Sequence, residues 1–420
     1  MDTVDLARLQ FALTAGAHFS FVALTLGLAT LVAVIQTRAT IGRSAVHMRM
    51  TRFWGQLYVI NYAMGIITGL VMEFQLGLSW SGLTDFAGNA FGAALALETV
   101  IAFFIESTFL GLWIFGWGRI NRWAHLALIW VVVLTAYASA FWVLIANGFM
   151  QNPVGYRRDG DVLHVTDFGA MVANPAATVA FGHVLGASFL VGAFVMAGVS
   201  AYHLARRTAE REFFRKSLRL GIGVSLPASI LTAAFGGIGF GMIQPNKAAA
   251  FNADPVRIAQ VQAEMTALHG PGDYVPPVGW VAGGGITMLT AFGLIFYLSM
   301  GSVPLMLFKR VVYGFRLWHW TLVAAIPLPF VAVIGGWIFR EMGRQPWTVY
   351  GLLTTADAMS PMTEGQVRFS LIAFTVVFAV LVVINYWLLA RAARRGPGEV
   401  SLGGAPRPTA PERPDPALTF

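Results

Sequence analysis

Nine stretches of this 420-residue chain run for about twenty residues or more with scarcely a charge. A segment of that length and polarity can cross the hydrocarbon of a bilayer, and it does so as a helix because lipid offers its backbone no hydrogen-bond partners. The runs fall at about 10–37, 53–75, 92–117, 123–148, 178–204, 217–240, 279–303, 318–340 and 369–391. The composition agrees: 57% of residues are hydrophobic, 11% are charged and the mean hydropathy is +0.67, which excludes a soluble globular domain of this size. The expected fold is therefore all-α, a polytopic membrane protein with nine transmembrane helices. The first run is too long for a signal-peptide core and lacks a small-residue cleavage site, so it counts as a helix.

The loops orient the helices. Basic residues cluster after the first, third, fifth, seventh and ninth runs. Of the chain's Lys and Arg residues, 18 fall on that side and 8 on the other, leaving Arg407 and Arg413 in the C-terminal tail. The bias of basic residues toward the cytoplasm places the N-terminus outside and the C-terminus in the cytoplasm. The net charge of +8 thus belongs to cytoplasmic loops and does not call for nucleic acid. The stretch from Gly396 is rich in Pro and Gly and is expected to be a disordered cytoplasmic tail, 396–420. The chain has no cysteine, which removes disulfides, thiolate metal sites and iron–sulfur clusters. No internal repeat is visible, which weighs against an inverted-repeat transporter.

Ionisable groups inside such helices are costly and call for a reason. His18 lies in the first run, Glu73 at the end of the second, Glu98 and Glu106 in the third, His183 in the fifth and Met288 in the seventh; Glu341 ends the eighth. All but Glu106 map to the outer half of the membrane. Glu106 follows Glu98 by eight residues, about 12 Å along an α-helix and about 80° around it. Singly, each has a bland reading: a buried His bonds a neighbouring helix, a Met fills the core, an end carboxylate reaches the interface. Together they suit a positive metal centre, and imidazole with thioether suits haem iron. Chemistry alone leaves the haem and the structural readings both open.

The stretches "RLQFALTAGAHFSFVALTLG", "TRFWGQLYVINYAMGIITGLVMEFQLG", "FGAALALETVIAFFIESTFLGLWIFGW", "ANGFMQNPVG" and "EMGRQPW" resemble subunit I of the cytochrome bd-type terminal oxidases over nearly the whole chain. The resemblance implies a nine-helix haem-binding membrane domain, 1–395, in the bacterial cytoplasmic (inner) membrane. It implies an activity, oxidation of membrane quinol with reduction of O2 to water. It implies three haems: a low-spin haem b held by His183 and Met288, a high-spin haem b held by Glu341, and haem d held by His18, with haem b as the alternative in that last place. Arg344 and Trp347 would complete the Glu341 site, with Arg344 on haem propionates. Glu98 and Glu106 would serve the haem pair and carry protons from the cytoplasm. The implied partners are a second membrane subunit (subunit II) and a small single-helix accessory subunit.

Three departures qualify the resemblance. The outside segment after the sixth run, 241–278, is short for the family's quinol-binding loop. It keeps Lys247 in "QPNKAAAFN", the match to the quinol-site lysine, but has Asn252 where the family has a glutamate. Asn cannot take the proton that quinol oxidation releases, which leaves Asp254 or Glu264 as the substitute base. Ile286 stands where the family has an arginine two residues before the Met ligand, and the glycines after Met288 are offset by one. Two further readings therefore accompany the first: a related oxidase fed by a donor other than quinol, and a haem-free transporter relaying protons through Glu98 and Glu106.

Overall fold

The computed structural model describes residues 2–403. Among these residues nine helices are long and apolar enough to cross a membrane: Thr3–Gly42, Ala45–Ser79, Ser81–Phe115, Arg122–Gln151, Phe168–Ala205, Arg211–Phe240, Val278–Leu307, Arg316–Met342 and Glu364–Glu399. They are called the first to ninth spans below. All but the third, which ends at Phe115 inside its expected run, cover their expected apolar runs, and most extend beyond them, because a helix does not end where its hydrophobicity ends. Local chemistry ends it instead. The first span stops at Arg43, which adopts a left-handed conformation with φ 49°, and Ser44 then caps the second by accepting from the His47 amide. Two residues thus reverse the chain and lay spans one and two side by side.

Spans one and five form the centre. The most apolar window of the first is 72% buried and that of the fifth 67%, against 11% for the ninth and 19% for the third. The first and fifth meet through small residues. A Cβ on Gly27 would lie 2.1 Å from the Ser188 carbonyl oxygen, so only glycine allows this approach. The thinly buried ninth span is held by a polar tie: Asn385 donates to Asn61 (3.1 Å), which donates to the Phe21 carbonyl (2.8 Å) and to Thr25 (2.9 Å). Spans five and six pack as one pair, spans seven and eight as another.

The structure departs from the sequence expectations in four places. The eighth span is not continuous: it runs as Arg316–Ala324 and Leu328–Met342, broken where "IPLPF" places Pro327, which cannot donate an intrahelical bond. Within the third span, Val100–Glu106 is π-helical. The α-helical projection of Glu106 relative to Glu98 therefore fails, since i→i+5 bonding turns the chain less per residue. The segment 241–278 holds two helices, Pro245–Asn252 and Pro255–His269. The stretch after Gly396 begins with a 3-10 turn, Gly396–Glu399, and buries Leu402 against Trp113, while 404–420 lies outside the described residues.

Candidate haem sites

His183 and Met288 meet across a cavity of about 410 Å³ between spans five, six, seven and eight. That volume is within the range of small-molecule sites, roughly 300–1,000 Å³. His183 Nδ1 lies 2.9 Å from the Thr232 carbonyl oxygen. A carbonyl only accepts, so Nδ1 carries the proton and Nε2 is left with a bare lone pair, the tautomer a metal needs. Two glycines keep the walls open. A Cβ on Gly236 would lie 3.0 Å from His183 Cε1, and one on Gly336 3.0 Å from Met288 Sδ. Gly236→Val is expected to displace the imidazole and cut occupancy of this site while leaving the helical circular dichroism unchanged. Full occupancy with the wild-type spectrum would show that the cradle is not needed. Phe19, the neighbour of His18, packs on Trp337 at 5.5 Å between ring centres, and both line this cavity.

His18 repeats the pattern. Its Nδ1 lies 2.9 Å from Thr68 Oγ1, and the Thr68 hydroxyl lies 2.8 Å from the Met64 carbonyl, to which it donates. Thr68 therefore accepts from Nδ1–H, and Nε2 is again bare. Gly69 clears space over the ring, where a Cβ would approach Cε1 to 3.1 Å.

Glu341 ends the eighth span in a tight polar knot. Its Oε1 accepts from Asn147 Nδ2 at 2.9 Å and its Oε2 from Arg344 at 2.6 Å. Arg340 donates to Asn147 Oδ1 (2.7 Å) and the Ala176 carbonyl (3.1 Å), with its Nε 4.0 Å from Glu341 Oε1. Arg344 is 6% exposed, yet its Nε and Nη1 have no partner, and neither does the buried Trp347 Nε1. Buried donors left unmade are expensive. A guanidinium with free N–H groups pointing into the protein fits an acidic group of a cofactor. The turn that carries these residues has a cis Gln345–Pro346 bond, and the Thr355 hydroxyl lies 2.8 Å from the side-chain oxygen Oε1 of Gln345 and 3.0 Å from the Pro346 carbonyl oxygen.

Lys247 is buried in the same region. Its Nζ sits 4.2 Å above the Phe339 ring and 3.5 Å from the Arg340 carbonyl, and it lines the cavity of His183 and Met288. Burial, followed by the nearby Arg340 charge, pushes its ammonium down to about 7. Asn252 is exposed, Asp254 is committed to capping the helix Pro255–His269, and Glu264 is exposed on that helix. None of the three is within hydrogen-bonding contact of Lys247. Ile286 is 58% exposed and faces away from the bundle.

The carboxylates of the third span stand apart from the His183 cavity. Glu98 accepts from Ser139 at 2.9 Å, and the neighbouring Thr99 donates to Glu73 at 2.9 Å. Glu106 is 4% exposed, with Oε1 unpartnered, near the Tyr58 and Tyr62 phenols. Asn147, Thr68 and Ser139 were not singled out in the sequence, although each is a polar residue in an apolar span. That is the signal by which they could have been found.

Comparison with known proteins gives a consistent picture. The sequence model of the family described as "Cytochrome bd terminal oxidase subunit I" matches residues 6–273 and 258–397. The chain is 36% identical over 452 residues to the cytochrome bd ubiquinol oxidase subunit 1 of Bacillus subtilis (strain 168), covering 94% of each. It is 32% identical over 513 residues to the cytochrome bd-II ubiquinol oxidase subunit 1 of Escherichia coli (strain K12), covering 94% of this chain and 97% of that one. Its fold is similar to a chain in the solved structure of the bd oxidase from Geobacillus thermodenitrificans, with a TM-score of 0.83, 26% identity, and 94% and 99% of the two chains covered.

Proposed function

The chain belongs to the cytochrome bd terminal oxidase subunit I family, and from that premise we infer that it is the haem-carrying subunit of a respiratory quinol:oxygen oxidoreductase. The haem-free transporter reading falls with that membership. The observation that carries the site assignment is the pairing of His183 and Met288 over one glycine-lined cavity, with His183 held in the tautomer that leaves Nε2 bare. His183 and Met288 would hold a low-spin haem b, Glu341 a high-spin haem b, and His18 haem d or a haem b in its place. Bound haem supplies the one-electron and oxygen chemistry.

The chain's own residues do the rest. The Thr232 carbonyl and the Thr68 hydroxyl fix the tautomers of His183 and His18. Asn147 and Arg344 hold the Glu341 carboxylate in one orientation, and the free edge of Arg344 takes a propionate. Glu106 and then Glu98, with Ser139 behind it, hold and pass protons along the third span. The basic loops orient the complex with the N-terminus outside and the C-terminus in the cytoplasm, in a bacterial inner membrane. The thin burial of the third and ninth spans suits a second membrane subunit, with a single-helix accessory subunit as a further partner. Pyridine haemochrome analysis of the purified complex tests the assignment: two haems b plus a third haem is the expected content. A haem-free complex would overturn it.

Lys247, a buried cation lining the cavity of His183 and Met288, would hydrogen-bond a quinol oxygen. Lys247→Ala is expected to raise the quinol KM about ten-fold or more, since a hydrogen bond to a charged group is worth roughly 1.5–3 kcal/mol. The wild-type KM should rise as pH passes through about 7, where the ammonium loses its proton, and the variant should lack that step. A wild-type KM without the step would assign quinol binding elsewhere. Asn252 favours a second reading, a donor other than quinol, because it leaves Lys247 with no base in the position the family uses. That reading wins where the complex reduces oxygen with an artificial donor but with none of several quinols.

A further inference from the structure

Spans one and two run antiparallel, and their seam carries a polar ladder that continues outward from His18. His18 pairs with Thr68 at 2.9 Å. One turn farther out, Thr14 Oγ1 lies 2.8 Å from Gln75 Oε1 and 3.0 Å from the Gln10 carbonyl. Gln10, Thr14 and His18 are spaced by four residues and share a face of the first span, about 6 Å per step. Gln10 is 2% exposed and Gln75 1%, yet the side-chain amide nitrogen of each has no partner. The buried indole Nε1 of Trp80, whose ring packs on Phe11 at 6.2 Å, and the Nε of Arg8 are also unpartnered.

These four orphans are all donors. Gln75 has spent its oxygen on Thr14, so its amide offers only N–H groups. A buried polar group left unmade costs about as much as the hydrogen bond it forgoes. Four such donors gathered at one end of two helices therefore imply an acceptor, and one that accepts several bonds at once. A carboxylate does so through two oxygens.

We propose that Gln10 and Gln75, flanked by Arg8 and Trp80, form the cradle for a carboxylate arm of the haem held by His18. This rests on the assignment of His18 as a haem ligand. It adds a second carboxylate site, built mainly from neutral amides, to the cationic one at Arg344. The bonds would fix the rotation of the ring about the His18 bond, because the ladder leads from the imidazole straight to the donors.

The test uses the whole complex from cells grown with 13C-labelled haem precursor, so that the haem carboxylates are marked, and reads redox-induced infrared difference spectra. His18→Ala identifies the bands of this haem by their loss. Retention of every haem in that variant would overturn the parent assignment instead of the cradle. Gln75→Met and Gln10→Met keep the side-chain shape and remove the donors. The expected result is haem retained and its labelled carboxylate bands shifted in each variant, with the largest shift in the double variant. Should the double variant fail to assemble, either single variant carries the test. Labelled bands identical to wild type in both single variants would mean that the amides bind only water, and the proposal would be wrong.

Discussion

Replacing His183 by alanine should abolish the low-spin haem signal of the complex and stop electron entry, with quinol-driven oxygen reduction falling on the order of 10²-fold or more. The size of the effect follows from the geometry. His183 is the only imidazole lining the cavity among the described residues, and Met288 Sδ, a weak ligand, faces it from the seventh span. Thioether alone does not hold haem iron in six-coordination. Met288→Ala should be milder: haem retained, the low-spin band replaced by that of a five-coordinate or mis-ligated centre. Reduced-minus-oxidised spectra of the two variants separate these outcomes. A full low-spin band in His183→Ala would remove the assignment. An unchanged spectrum in Met288→Ala would shift the second ligand to a neighbour.

The nine spans were legible because a transmembrane helix is written in the sequence as length and apolarity, and both are local. The features that shape the sites are not local. Nothing in the "ANGFMQ" stretch says that Asn147 reaches Glu341, 194 residues away, and also holds Arg340. That pairing exists only once the fourth and eighth spans are side by side. The break at Pro327 was visible as two prolines in "IPLPF", but the surrounding apolarity masks it: hydropathy does not register a missing N–H. The π-helical turn before Glu106 has no composition signal at all. In "QPNKAAAFN" and the residues after it, two helices are readable from Pro at the first turn of each and Asp254 at a cap. His18, His183 and Met288 were legible only as unusual residues at similar depth in apolar spans. The tautomers of the two imidazoles were not legible, because they depend on Thr232 and Thr68.

Glu106→Gln should slow oxygen reduction on the order of 10²-fold while leaving haem content and spectra as in the wild type. The amide keeps the shape of the carboxyl and cannot carry a proton, so the substitution separates proton delivery from packing. The site makes the residue suitable for delivery. It is 4% exposed with one carboxyl oxygen unpartnered, which leaves that oxygen free to take a proton. The π-helical turn lies between it and Glu98, whose own carboxyl is already held by Ser139. A carboxyl with a free oxygen near one that is fixed by a neighbour suits proton passage between Glu106 and Glu98. Tyr58, buried with its hydroxyl unpartnered near Glu106, is the next group on that side. Ser139→Ala should consequently slow turnover less than Glu106→Gln, since it removes only the hold on Glu98. Steady-state oxygen consumption and single-turnover proton uptake of the two variants would decide. Wild-type uptake kinetics in Glu106→Gln would place the proton route outside the third span, in the partner subunit.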